Sequence, residues 1–357
     1  MKIGIIGCGN ILEQYAKFSK HFENMEIVRL ADLNTDLARS KADEYGYAAG
    51  GSVEDLLSDP DVELAINLTI PAAHAEVSLK CLDAGKHVYS EKPIAVEVKD
   101  AEAVISLARQ KNLVVGNAPD TFLGTGHQTV RKLIDEGRIG RPLFAVCQML
   151  SAGTEGWHPN PGFFYKRGAG PLFDMGPYYV TALINLFGPI DRVSAEAPIL
   201  MPDRVIKNGP MAGTTVKVET PDHISGSLRF AGGQIATLVT TFCGKNRADD
   251  WKHPIQLYGT EGAMRVLDPN HFEGDIEVFG KGDEDWTTIE DQFDHPNGRS
   301  LGVADMIDAI QEGRTPRASA ELALCVLRTM HGLLESSETG EFQPIQSDFE
   351  RPPAMAD

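Results

Sequence analysis

The chain has 357 residues, 42% hydrophobic and 24% charged, a length that favours two domains and a composition that excludes the disordered, collagenous and membrane-embedded classes. Its formal charge of −18 repels a polyanionic backbone, so no nucleic-acid partner is expected. The five cysteines (Cys8, Cys81, Cys147, Cys243, Cys325) form no CxxC, and the first apolar run is too short for a membrane span, which predicts a cytoplasmic protein without disulfides or membrane association.

Short apolar runs at 3–6, 27–31, 64–68, 87–89 and 113–115 read as strands. Between them 11–22, 37–45, 72–84 and 96–111 carry apolar residues at helical spacing, and Ser52-Val53-Glu54-Asp55 opens a shorter helix as a capping box. This alternation predicts an α/β Rossmann domain, a doubly wound parallel sheet with helices on both faces, over 1–120. After a helix at 131–136 closed by Gly137, the chain becomes strand-rich at 143–149, 224–230, 235–242 and 255–258, with Gly232-Gly233 as a hairpin turn. Helical segments at 303–312 and 318–335, broken at Thr315-Pro316, precede a polar tail. A second domain is expected over 121–357.

Gly7-Cys8-Gly9-Asn10 follows the first strand and opens a helix at Ile11. Gly7 permits the tight turn, Gly9 lets backbone approach a pyrophosphate, and the helix N-terminus offers N–H groups to it. Leu12 stands where a third glycine is often found. Asp32, about 20 residues beyond Gly9 and followed by Leu33, suits a ribose 2′-hydroxyl and repels a 2′-phosphate. The expected cofactor is therefore NAD; NADP stays open because one nearby arginine can recruit the phosphate.

Ligands of open α/β sheets bind beyond the carboxyl ends of the strands, where Asn67-Leu68-Thr69-Ile70-Pro71 with His74 and then Tyr89-Ser90-Glu91-Lys92-Pro93 are found. A lysine between an acid and a proline at such an edge can polarise an alcohol or carbonyl oxygen, or simply be solvated. Between the domains the segment 156–167 mixes aromatic and polar side chains as sugar sites do, and Trp157, His158 and Lys166 are candidate substrate contacts; a loop packed by its own aromatics is the alternative. No metal constellation is seen: His253, His271 and His295 are scattered.

With Gly7-Cys8-Gly9-Asn10, Glu91-Lys92-Pro93, the segment Gly168-Ala169-Gly170-Pro171-Leu172-Phe173-Asp174-Met175-Gly176 and Gly302-Val303-Ala304-Asp305-Met306, nearly the whole chain resembles the glucose-fructose oxidoreductase, inositol dehydrogenase and MocA family. The resemblance implies an α+β second domain with a large open antiparallel sheet, whose exposed face forms a dimer or tetramer contact. It also implies that Lys92 is the catalytic lysine with a cis bond to Pro93, and that Thr69, Ile70, Pro71, His74, Glu91 and Asn117 line the dinucleotide beside it. Many members read Asp-x-Gly-x-His where this chain has Asp174-Met175-Gly176-Pro177-Tyr178. Asp174 and Tyr178 then complete the acid–base set with Lys92 and contact the substrate, with either one open as the proton acceptor. The implied activity is NAD-dependent oxidation of a secondary hydroxyl on a sugar, polyol or sugar acid. Glycosidases using transient oxidation and non-catalytic NAD-binding regulators are the alternatives within the same family.

Overall fold

The computed structural model describes residues 1–158, 160–244 and 252–355. The chain divides into two compact units: Met1–Gly124 with His295–Leu327, and Thr125–Asp294 with Arg328–Asp357.

The first unit runs β1 (Lys2–Ile6), α1 (Leu12–Phe18), β2 (Glu26–Ala31), α2 (Thr35–Tyr45), β3 (Ala49–Gly51), α3 (Val53–Ser58), β4 (Leu64–Asn67), α4 (His74–Asp83), β5 (His87–Ser90), α5 (Val98–Lys111) and β6 (Val115–Asn117). All strand pairs are parallel, in the order β3-β2-β1-β4-β5-β6, as a doubly wound Rossmann sheet requires. Ile3, Ile5, Leu64 and Ile66 are fully buried, because helices cover both faces of a parallel sheet and leave its central strands no solvent side. The Ser52 capping box forms: the Asp55 N–H donates to the Ser52 hydroxyl and the Ser52 N–H to the Asp55 carboxylate. β3 escaped the sequence reading because its residues, Ala49-Gly50-Gly51, carry no apolar run.

The second unit begins with α6 (Thr125–Asp135), β7 (Pro142–Leu150), α7 (Gly170–Phe187) and β8 (Ile190–Glu196). A small ladder of β9 (Asp203–Val205) and β10 (Thr215–Lys217) follows, then β11 (His223–Phe230), β12 (Ile235–Thr241), β13 (Ile255–Gly259), β14 (Ala263–Val266), β15 (Ile276–Phe279) and β16 (Thr287–Ile289). The chain continues through α8 (Leu301–Glu312) in the first unit and α9 (Ala320–Thr339), within which the division falls, to β17 (Gln343–Pro344). The large sheet has nine strands in the order β16-β15-β14-β13-β7-β12-β11-β8-β17. It is mixed rather than wholly antiparallel, since β12 pairs parallel with β7. Gly233, at φ +89°, turns β11 into β12 as its sequence predicts.

The apolar helix α7 packs on β7, β11 and β12. The other face of the sheet alternates outward, and register aligns Phe279, Ala263, Tyr258, Phe144 and Ile235 in one cross-strand row. Phe144 stacks on Tyr258 at 4.6 Å between ring centres, and Phe144, Ile235 and Phe279 are exposed. Among the described residues no helix is long and apolar enough to cross a membrane.

The segment 295–327 is tied to the first unit by polar contacts. Buried Asp120 accepts from the Arg299 guanidinium at 3.1 Å and from the Gly302 N–H at 3.1 Å, and the Asn117 N–H donates to the Ala318 carbonyl. Asp305 is held by Arg314 at 2.9 Å and by the Arg317 N–H at 2.7 Å. These bonds account for the motif at 302–306, read in the sequence only as a family feature.

Candidate functional site

In the first unit the carboxyl ends of β1, β2 and β4 carry the glycine turn, Asp32 and the Thr69 loop. Gly7 has φ +104°, and a Cβ there would stand 2.7 Å from the carbonyl carbon and oxygen of Leu68, so any side chain would collide with rigid backbone. Gly9 differs: a Cβ added to it meets nothing within 4 Å. The absence of a side chain at Gly9 is thus not explained by packing within the protein, and it fits a ligand passing close to the backbone. Leu12, in the place of the third glycine, is buried in the core.

Asp32 accepts from the Cys8 N–H at 2.8 Å and the Asn34 N–H at 2.9 Å, which locks its carboxylate at the tip of β2 beside the glycine turn. Burial, reinforced by this carboxylate, pushes the Cys8 thiol up to about 11, so the cysteine is no nucleophile. Arg39 pairs with Asp36 at 3.1 Å. Leu33 is 98% and Ile70 70% exposed, and Asn10 and Pro71 are exposed with them, while Ile11 is half-buried. Two large apolar side chains in solvent on either side of an open glycine turn suit the apolar faces of a dinucleotide.

The next loop is built from below. The Asn67 side-chain oxygen Oδ1 accepts from the Thr69 N–H and hydroxyl at 3.2 and 2.6 Å, while its side-chain amide donates to the His74 carbonyl and the Ser78 hydroxyl. His74 is 1% exposed, and its Nδ1 and Nε2 lie 2.6 Å from the Pro93 carbonyl and 2.9 Å from the Thr69 carbonyl. Burial lowers its pKa, against the opposing influence of those carbonyls and of Glu91. A neutral imidazole donates from one ring nitrogen only, so His74 hydrogen-bonds one of these two carbonyls while its buried ring sits between the Thr69 loop and the Lys92–Pro93 turn.

The Lys92–Pro93 peptide bond is cis, as is Ala118–Pro119. Glu91 is buried, and its two carboxylate oxygens take the Tyr15 hydroxyl and the Lys92 N–H, each at 3.0 Å. The Asn117 amide donates to the Ser90 and Glu91 carbonyls at 2.9 and 3.1 Å, and Lys92 itself is half-buried. Buried Glu91, His74 and Asn117 therefore shape the loops, and the exposed residues present the surface.

In the second unit Asp174 and Tyr178 are four residues apart on α7 and share one face; Asp174 is half-buried and Tyr178 6% exposed. Pro177 between them lacks the N–H that would bond the Phe173 carbonyl. Trp157, His158, Phe163 and Phe164 contact one another, with Phe163 and Phe164 centres 4.0 Å apart and His158 5.2 Å from Phe164. The loop thus does pack on its own aromatics, yet Trp157 remains 64% and Phe163 53% exposed. The Lys166 ammonium is paired with Glu219. Pro159 lies outside the described residues.

Beneath this loop is a charge cluster that sequence reading missed. Arg204, 2% exposed, bonds Glu155 at 3.2 Å, Asp222 at 3.3 Å and the Phe242 carbonyl at 2.8 Å, and the Tyr165 hydroxyl donates to Glu155. The residues are far apart in sequence and have no motif spacing. Tyr15 was missed because its position on α1 reads as ordinary core. Among the described residues no group of histidine, cysteine, aspartate or glutamate side chains could hold a metal.

Comparison with known proteins identifies the family and the fold. A family model described as "Oxidoreductase family, NAD-binding Rossmann fold" matches residues 1–118, and the "GFO/IDH/MocA C-terminal domain" model matches 127–265. The chain is 25% identical over 352 residues to 1,5-anhydro-D-fructose reductase of Ensifer adhaerens, covering 96% of this chain and 98% of that protein. It is 31% identical over 171 residues to inositol 2-dehydrogenase of Salmonella typhimurium, spanning 46% of this chain and 51% of that one. Levoglucosan dehydrogenase, solved with NADH and levoglucosan, shares the fold with a TM-score of 0.80 and 22% identity, covering 98% of this chain and 100% of that one.

Proposed function

Since the chain belongs to the glucose-fructose oxidoreductase, inositol dehydrogenase and MocA family of NAD-binding oxidoreductases, we propose that it catalyses reversible oxidation of a secondary hydroxyl on a sugar, polyol or sugar acid. The observation that carries the reading is the buried, doubly braced Glu91-Lys92-Pro93 turn, on the same unit as the open glycine turn and Asp32. Bound NAD supplies the hydride acceptor.

Gly7, Gly9, Asn10, Ile11, Asp32 and Leu33 hold the dinucleotide, with Thr69, Ile70 and Pro71 on its other side. Lys92 binds the reacting oxygen and assists loss of its proton, and Asp174 and Tyr178, on the second unit, are the further acid–base candidates. Trp157 and Phe163 offer exposed ring faces for the C–H face of a sugar, and His158 and Lys166 supply polar contacts. The exposed side chains of Phe279, Phe144 and Ile235, in one cross-strand row with half-buried Tyr258, support a homo-oligomer formed through the open sheet.

The test is formation of NADH from NAD, and separately of NADPH from NADP, followed at 340 nm across sugars, polyols and aldonates, comparing the wild type with Lys92→Ala. The expected result is NAD-dependent turnover on at least one of them, falling about 100-fold or more in the variant while NADH binding persists. Near-normal turnover in Lys92→Ala would refute the role of Lys92. Aglycone release without net NADH would replace the dehydrogenase by a glycosidase.

A further inference from the structure

Tyr15 lies on α1, directly after the glycine turn, and is fully buried. Its hydroxyl donates to one Glu91 oxygen at 3.0 Å, while the other oxygen receives the backbone N–H of Lys92 at 3.0 Å. The Glu91 N–H is itself fixed on the Asn67 carbonyl at 2.9 Å. Two donors on the two oxygens of one carboxylate define its plane, and that plane sets where the Lys92 backbone stands. On the far side of the turn the His74 Nδ1 lies 2.6 Å from the Pro93 carbonyl. Burial, with the Glu91 charge second, raises the Tyr15 phenol well above its ordinary value, so it remains a donor throughout the working pH range.

We infer that Tyr15 is a positioning residue for Lys92, acting through the Glu91 carboxylate, and that it makes the helix following the cofactor turn the mechanical support of the catalytic lysine. The tyrosine is fully buried and offers no surface to a cofactor or substrate. Its effect falls on turnover rather than on cofactor binding, because the glycine turn and Asp32 keep their own backbone bonds without it. The inference rests on the role of Lys92 proposed above.

Tyr15→Phe removes one oxygen and little volume. Using full-length protein, turnover would be followed with the panel sugar oxidised fastest, NADH affinity by fluorescence titration, and exchange of the Lys92 amide by hydrogen–deuterium mass spectrometry. Tyr15→Phe is expected to lower kcat about tenfold, leave the NADH Kd within about twofold, and speed exchange at Lys92. Glu91→Gln should act in the same direction, and the double variant should be no worse than Glu91→Gln alone, since the tyrosine acts only through that carboxylate. Wild-type kcat in Tyr15→Phe, additive losses in the double variant, or a parallel loss of NADH affinity would overturn the inference. If Tyr15→Phe does not fold, Glu91→Gln carries both the turnover and exchange readouts. Lys92→Ala separates the two claims: an active Lys92→Ala removes the lysine assignment, whereas an inactive one beside a normal Tyr15→Phe removes only the positioning role.

Discussion

Gly7 and Gly9 are both part of the same short turn, yet alanine should act on them in opposite ways. In Gly7→Ala an L-residue is forced to φ +104° and its Cβ stands 2.7 Å from backbone atoms of Leu68. Strain of this kind costs about 1–3 kcal/mol before the collision is counted, and neither Leu68 atom can rotate away. A melting-temperature fall of roughly 2–12 °C without ligand follows, at about 2–4 °C per kcal/mol. In Gly9→Ala the new methyl meets nothing within 4 Å, so the unliganded protein should melt as the wild type does. The methyl should instead obstruct the cofactor. NADH at 100 times Kd stabilises the wild type by about 2.7 kcal/mol; a 100-fold weaker Kd would leave about 0.4 kcal/mol at the same concentration. Thermal melts with and without NADH read both effects. An undiminished NADH shift in Gly9→Ala, or a wild-type melt for Gly7→Ala, would refute the division of labour between the two glycines.

Replacing Asp32 by alanine removes a carboxylate that accepts from Cys8 and Asn34, and is expected to weaken NADH binding while narrowing the preference over NADPH; competitive titration of the two cofactors measures both. Arg204→Met strands the buried carboxylates of Glu155 and Asp222 and should lower stability by about 3–5 kcal/mol, seen as an earlier denaturant midpoint; an unchanged midpoint contradicts the cluster's structural role. His127 is buried, and burial pushes its pKa down to about 4 from 6.5. Its folded value lies below its unfolded one, so its contribution is full above pH 6.5 and is lost as pH falls towards 4, in total about 3 kcal/mol. Wild type should therefore lose that much more stability than His127→Asn between pH 7 and pH 4, and parallel denaturation curves would exclude the effect.

The cofactor half of the molecule was open to reading because its signals are local. Period-two and period-3.6 apolar patterns, the Ser52 cap and the glycine turn each act within a few residues, and a parallel sheet with buried faces gives its strands continuous apolar runs. β3 and the short strands β9, β10 and β14–β17 were not foreseen, because their pairing comes from register with distant partners more than from their own composition.

The sequence alone determined the nucleotide-binding architecture, the order of its elements apart from β3 and the positions at which chemistry is expected, since dihedral freedom at Gly7 and a carboxylate at Asp32 are properties of single residues. Tertiary structure decided which of those residues face outward and which act from beneath. His74 and Glu91 brace loops instead of presenting themselves to solvent, Gly9 opens onto empty space, and Tyr15 and Arg204 gain their roles only through Glu91, Glu155 and Asp222. Such roles depend on hydrogen bonds between residues tens of positions apart, and the directions of these bonds are set when the chain packs.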